Sequence, residues 1–140
     1  MNRAVLIRDG AVVLDRVELA LGMVSRMVGL LGRVGIPDRT GMLLAPCSSI
    51  HMAFMRFPID LAGLGLPDGI SAWAAGQALR HGDPLPCVVR EVVAGIAPWR
   101  LHFCGRTVWS VLEAGSGQLA GVLHPGDAVI IKPVSVMRQG

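Results

Sequence analysis

Short apolar runs separated by glycine, proline and aspartate recur along the chain and predict a mainly β fold. Ala4 to Ile7 and Ala11 to Leu14 flank the pair Asp9 and Gly10, and Asp-Gly between two such runs is a strong hairpin signal. Apolar or β-branched runs of the same kind predict further strands at residues 41–44, 61–66, 88–93, 101–104, 107–113 and 128–132.

Two segments depart from this pattern. Between residues 22 and 33, Met23, Met27, Leu30 and Leu31 recur at helical spacing, which predicts one short helix. Residues 71–87 have no clean period and contain a Gly-Asp-Pro loop signal, so we interpret them as an insertion-like excursion. The pattern therefore favours a mainly β (α+β) fold with one short helix near residues 22–33.

Residues 47–60, CSSIHMAFMRFPID, hold the densest group of chemically unusual side chains in the chain. From Ile50 to Phe57, apolar residues occupy both the odd- and the even-numbered positions, which face opposite sides of a strand. This pattern predicts a central strand that is apolar on both faces and ends at Pro58. In a strand Cys47 and His51 would lie about 13 Å apart, too far to share a metal ion, whereas on a helix they would lie about 5–6 Å apart.

Length and composition predict a single domain over residues 1–140 with a short, frayed C-terminal tail at 133–140. Only 16% of the residues are charged and 52% are hydrophobic, so either the surface is unusually neutral or a partner covers part of it. Self-association as a homo-oligomer is therefore one hypothesis. The net charge is only +3 and the arginines are spread along the chain, which argues against nucleic-acid binding.

Cys47, Cys87 and Cys104 form no Cys-x-x-Cys pair, so the sequence predicts neither a disulfide framework nor a closed zinc site. We expect no bound metal or cofactor. Reduced thiols are typical of the cytoplasm, charges interrupt the N-terminal apolar runs, and a Pro-Asp-Gly turn interrupts the longest uncharged one. The sequence therefore predicts a soluble cytoplasmic protein without a membrane span.

Several motifs occur in a recognisable order. The first is Arg-x-x-Gly-Leu-Leu-x-Arg at residues 26–33, followed by Gly-Met-Leu at 41–43, the Cys47 to Asp60 signature, Leu-Glu at 112–113 and Gly-Asp at 126–127. In this order the chain resembles the bacterial and archaeal family called domain of unknown function 192, over most of residues 15–132. The resemblance implies a compact β-barrel-like domain with a short helix, and it supplies no mechanism. Together with the strand pattern, it predicts a small, partly closed β-barrel-like domain.

Five side chains are predicted to line one polar-edged pocket, because polar groups concentrate within an otherwise apolar signature: Arg26, His51, Arg56, Asp60 and Glu113. Candidate catalytic residues are Cys47 with His51 as its base, and Asp60, which could form a carboxylate pair with Glu113. Simpler roles are a hydrogen-bonded core imidazole for His51 and acceptance of backbone N–H groups at a turn for Asp60.

The functional prediction is a non-catalytic module that binds a small ligand or a protein through this pocket. The alternative is a metal-assisted or thiol-dependent enzyme that uses Cys47 and His51. That alternative requires the two side chains to converge within ligand or hydrogen-bond distance.

Overall fold

The computed structural model describes residues 2–22, 35–52 and 55–134, apart from the side chain of His51. The helix predicted near residues 22–33 and most of the predicted tail fall outside these ranges. Within them, the elements in chain order are β1 (Asn2–Arg8), β2 (Ala11–Ala20), β3 (Thr40–Leu44), β4 (Ser49–His51), β5 (Ile59–Gly65), α1 (Ala72–His81), β6 (Leu85–Ile96), β7 (Leu101–Phe103), β8 (Ser110–Gly115) and β9 (Ala128–Val134).

Seven strands of the described ranges close into a barrel in the order β1-β2-β3-β8-β5-β6-β9. The mainly β prediction is confirmed, and the barrel predicted as partly closed is closed by the pairing of β1 with β9. The opening hairpin is also confirmed. Asp9 and Gly10 have φ values of 51° and 75°, the positive values that a two-residue turn between twisted strands requires.

Alternation of side chains along the strands produces two separate apolar clusters. The inner cluster draws buried residues from all seven barrel strands and fills the barrel, and Ala75 and Leu79 of α1 pack against it. The outer cluster lies on the other face of β3, β8 and β5, where Met42, Leu61 and Val111 project. Both faces of these three strands are therefore buried, so a polar side chain on either face is desolvated.

The central strand predicted from Ile50 to Phe57 is wrong. Among the described residues of this segment, only Ser49–His51 forms a strand, and it pairs with β7 in a separate two-stranded sheet. The central strand is β5, between β8 and β6. Met52 and Met55 are apolar because both are buried in the outer cluster, and neither belongs to a ladder.

The excursion at residues 71–87 contains a regular element, helix α1. The Ser71 hydroxyl accepts a hydrogen bond from the Ala74 N–H at 3.1 Å and caps the first turn, while Gly82 ends the helix at a φ of 85°. Sequence periodicity missed the helix because only Ala75 and Leu79 are buried, too few positions to produce a helical pattern. In the described part of the chain, no helix combines the length and apolar character needed to cross a membrane.

Candidate functional site

Asp60 is held inside the end of the barrel, where only 1% of the residue is exposed. Its Oδ1 accepts the N–H of Gly95 at 2.9 Å, and Oδ2 accepts the N–H groups of Gly117, Leu119 and Ala120 at 3.0, 3.1 and 2.8 Å. The carboxylate therefore ties β6 to the chain that follows β8. This is the backbone-acceptor role considered from the sequence, with partners from distant segments instead of its own turn.

Glu113 lies on the opposite face of the same strands. Asp60 is paired with Ala114 and Leu61 with Glu113, so the two carboxylates point to opposite sides of the sheet. The structure does not bring them into one pocket or into a carboxylate pair. Glu113 joins the outer face beside Met42, and burial there raises its pKa to about 7.

The remaining predicted pocket residues are placed only in part. Arg26 lies outside the described residues, and His51 is described only through its backbone in β4. The Arg56 side chain is exposed. Ligand binding by these residues, and the convergence of Cys47 with His51, therefore stay predictions.

The structure instead brings together three side chains that the sequence did not connect: Glu91, His102 and Cys104. One ligand atom from each lies within 4.8 Å of the other two. His102 Nε2 and Glu91 Oε1 are 3.0 Å apart, and the side chains of these two residues are 27% and 32% exposed. The three groups thus form a half-buried cluster at the surface that an ion from solvent can reach.

Strand geometry positions each member of the cluster. Glu91 is paired with Gly63 and extends from the outer face of β6. His102 and Cys104 are two residues apart on extended chain, which places both side chains on one face. The Cys104 N–H donates to the carbonyl of Ser48 at 2.8 Å, which continues the β4–β7 contact beyond the last paired residues.

The acid and the thiol influence each other's pKa. Partial burial alone would raise the pKa of Glu91, but hydrogen bonds from Cys104 and His102 and the charge of His102 lower it below its ordinary value. For Cys104, burial, the hydrogen bond to Glu91 and the charges of Glu91 and Cys47 raise the pKa to about 12. At neutral pH the thiol is therefore protonated and donates to the carboxylate.

Cys47 lies close enough to this cluster for its charge to act on Cys104. Its Sγ donates to the Ser49 carbonyl at 3.0 Å, and its N–H donates to the Trp109 carbonyl at 2.9 Å. Both thiols pack against the outer apolar cluster. Cys47 therefore belongs to the surroundings of the site, although its predicted partner was His51 rather than Cys104.

One sequence signal could have identified part of the cluster. His102-Phe103-Cys104 lies at the end of a predicted strand, and ligands two residues apart on a strand share a face. Glu91 had no such signal, because its place beside the pair depends on how β6, β7 and β4 are arranged in space.

Gly63 makes room for this site. A Cβ at position 63 would lie 2.9 Å from the Val108 side chain and 3.1 Å from Cγ of Glu91. We expect Gly63→Ala to lower the free energy of unfolding by about 1–3 kcal/mol and to displace Glu91, since overpacking forces neighbours to shift. Urea denaturation measures the loss, and Gly76→Ala, whose Cβ meets no atom within 4 Å, is the control, expected to be neutral or stabilising. Equal stability of the Gly63 variant and the wild type would contradict the tight approach.

The chain matches no family model and no curated protein. It is similar to two solved structures. One is a protein of unknown function from Novosphingobium aromaticivorans DSM 12444, with 21% identity, coverage of 91% of this chain and 82% of that chain, and a TM-score of 0.66. The other is described as a proposed transcription regulator from Sinorhizobium meliloti 1021, with 23% identity, 91% coverage of each chain and a TM-score of 0.64. At these identities the similarity shows a shared small β fold, and the resemblance to domain of unknown function 192 stays a prediction.

Proposed function

We propose that the protein is a non-catalytic binding module whose ligand is a divalent metal ion of the zinc class, held by Glu91, His102 and Cys104. The observation that carries the proposal is the convergence of their three ligand atoms within 4.8 Å. The proposal keeps the binding module predicted from the sequence and departs from the expectation of no bound metal.

The ligand types and their spacing both suit zinc. Thiolate, imidazole and carboxylate are the three side-chain ligands that Zn²⁺ takes in proteins, at about 2.0–2.3 Å. Ligand atoms around a tetrahedral ion at those distances lie roughly 3.5 Å apart, so the present arrangement needs only side-chain rotation to close around an ion. A set with one sulfur and one imidazole is poorly suited to Mg²⁺ and Ca²⁺, which prefer oxygen ligands.

The same geometry disfavours a thiol-dependent enzyme that uses Cys104, whereas the pair of Cys47 and His51 stays a prediction. A nucleophilic cysteine needs a neighbouring cation, a helix N-terminus or a base that takes its proton. Cys104 instead donates to a carboxylate, which stabilises the thiol and not the thiolate. A metal ion changes this balance, because it replaces the thiol proton and is attracted by the same carboxylate.

The test is a zinc titration of the full-length chain after removal of metals with a chelator. We expect calorimetry to show one Zn²⁺ bound per chain. Competition with a chromophoric chelator, followed by absorbance, then gives the dissociation constant. Cys104→Ser and His102→Gln should each weaken binding by more than the ~10–100-fold that loss of an outer-shell partner costs, because each removes a ligand. His124→Gln, at an exposed histidine outside the cluster, is the matched control and should bind as the wild type does.

Cobalt substitution identifies the ligand set. Thiolate-to-Co²⁺ charge-transfer absorption should appear in the wild type, and in Cys104→Ser it should vanish if Cys104 is the single thiolate ligand or fall by about half if Cys47 is a second one. A drop of about half in Cys47→Ser would make Cys47 the fourth ligand of a closed site, whereas an unchanged spectrum would leave that position to solvent. Zinc binding that is absent, or equally strong in the Cys104 variant, would overturn the proposal.

A further inference from the structure

Helix α1 forms one wall of a groove that is separate from the cluster of Glu91, His102 and Cys104. The groove encloses about 410 Å³ between α1 and the chain around Pro46, and the Trp73 and Trp109 side chains line it. Sites for small organic ligands occupy about 300–1,000 Å³ and are lined mainly by apolar and aromatic groups. The groove has the volume and lining of such a site.

One stripe of α1 forms its helical wall. Gly76, Gln77 and Arg80 lie three, four and seven residues after Trp73 and so share its side of the helix, while Ala75 and Leu79 on the other face are buried in the inner cluster. The helix is therefore anchored to the barrel by one face and presents the other to the groove. Trp73 and Arg80 are seven positions apart on the helix, which corresponds to a rise of about 10 Å along its axis.

Gly76 leaves the middle of this wall open. A Cβ at position 76 would meet no atom within 4 Å, although alanine would favour the helix by about 1 kcal/mol. The absence of a side chain at this position leaves the surface of the helix open between Trp73 and Arg80.

Arg80 supplies charge at the far end. Its Nη2 donates to the Leu21 carbonyl at 3.3 Å, which holds the guanidinium at the rim of the groove. The described residues occupy no other N–H group of the fork, and the described lining residues include no carboxylate. The electrostatic field at this end therefore favours an anion.

We propose that this groove binds a small, flat, apolar molecule that carries one anionic group, with its rings between Trp73 and Trp109 and its carboxylate, sulfonate or phosphate at Arg80. Indole faces stack on flat π-systems, and guanidinium pairs with oxyanions through two parallel hydrogen bonds. The groove offers one positive charge about 10 Å along the helix from an aromatic pair. This arrangement matches a small amphiphilic anion better than it matches a peptide.

The probe is 8-anilinonaphthalene-1-sulfonate, followed by its emission on titration into the folded full-length chain. N-phenyl-1-naphthylamine, which has the same rings and no sulfonate, is the neutral comparison. We expect one anionic probe to bind per chain with a dissociation constant of the order of micromolar, and the neutral probe to bind about tenfold more weakly or worse.

Three variants locate the binding. Gly76→Leu fills the groove with a good helix former, so it should keep or raise the melting temperature while it weakens the anionic probe at least about tenfold. Arg80→Gln should weaken the anionic probe to the level of the neutral one and leave the neutral probe unchanged. Phe103→Ala removes an aromatic ring outside the groove that is exposed to a similar extent as Trp73, and it should change the binding of neither probe.

Undiminished binding in Gly76→Leu, or equal binding of the two probes to the wild type, would overturn the proposal. Displacement of the probe by a proline-rich peptide at lower concentration than by 2-naphthoate would also overturn it, in favour of a peptide site. Cys104→Ser should retain probe binding, so failure of the metal site and failure of the groove can be told apart.

Discussion

Asp60→Ala is expected to lower the free energy of unfolding by at least about 4 kcal/mol, a large part of the roughly 5–15 kcal/mol that stabilises a typical domain. The variant removes the acceptor for four backbone N–H groups of the described residues, on Gly95, Gly117, Leu119 and Ala120. Each buried donor left without a partner costs about 1–3 kcal/mol, and water can reach only the partly exposed ones. Urea denaturation followed by circular dichroism measures the loss.

Asp60→Asn tests the contributions of the two carboxylate oxygens separately. The amide can place its oxygen where Oδ2 accepts three N–H groups, but its NH₂ then faces the N–H of Gly95. We expect about half of the loss seen in the alanine variant. Asp68→Asn, in an exposed turn, is the control and should stay within about 0.5 kcal/mol of the wild type.

These variants also separate the structural role of Asp60 from the catalytic role considered from the sequence. If the carboxylate is an acceptor for distant loops, every functional readout will fall in proportion to the loss of folded protein. A loss of less than about 1 kcal/mol in Asp60→Ala would contradict this role and restore Asp60 as a candidate site residue.

Local sequence signals predicted the turns and strands whose formation depends on neighbouring residues. The opening hairpin follows from Asp9 and Gly10, which adopt positive φ values more readily than most residues do, and the alternation of apolar residues on either side of them. The strands predicted at residues 41–44 and 128–132 follow from short apolar runs after turn signals, and the structure has them at Thr40–Leu44 and Ala128–Val134. Closure of the barrel depends on β1 meeting β9 at the other end of the chain, and no local pattern specifies that contact.

The candidate site was harder to predict because it depends on which face each residue occupies. Asp60 and Glu113 belong to adjacent strands, yet their register differs by one position, which sends them to opposite sides of the sheet. His102 and Cys104 share a face by their spacing, but Glu91 joins them only through the packing of β6 against the separate β4–β7 sheet. The residue types were visible in the sequence, and their convergence required the pairing of distant strands.

Glu113 is expected to make the protein less stable as the pH rises. Burial among apolar side chains raises its pKa from 4.5 to about 7 in the folded state. Between these two values the folded chain binds more protons than the unfolded chain, so the free energy of unfolding falls with increasing pH. The contribution is fully present below pH 4.5 and lost above pH 7, and a difference of about 2.5 pKa units corresponds to about 3 kcal/mol.

Glu113→Gln tests this contribution, because glutamine keeps the shape of the protonated acid and does not ionise. At pH 5 the variant and the wild type should have similar stability, and at pH 8 the variant should be more stable by up to about 3 kcal/mol. Urea denaturation at several pH values gives the difference between the two proteins, in which groups common to both cancel. Asp68→Asn should give a flat difference over the same range, because that turn is exposed.

The other described carboxylates on this face act on the pKa of Glu113 in the same direction as burial. Glu18 lies two strands from Glu113 across Met42. Glu91 lies two strands away on the other side, opposite Gly63, which follows Leu61 by two residues on the same face. A negative charge on either would oppose ionisation of Glu113 and reinforce the effect of burial. A flat difference between Glu113→Gln and the wild type would therefore contradict the raised pKa of Glu113 and its burial among apolar side chains in solution.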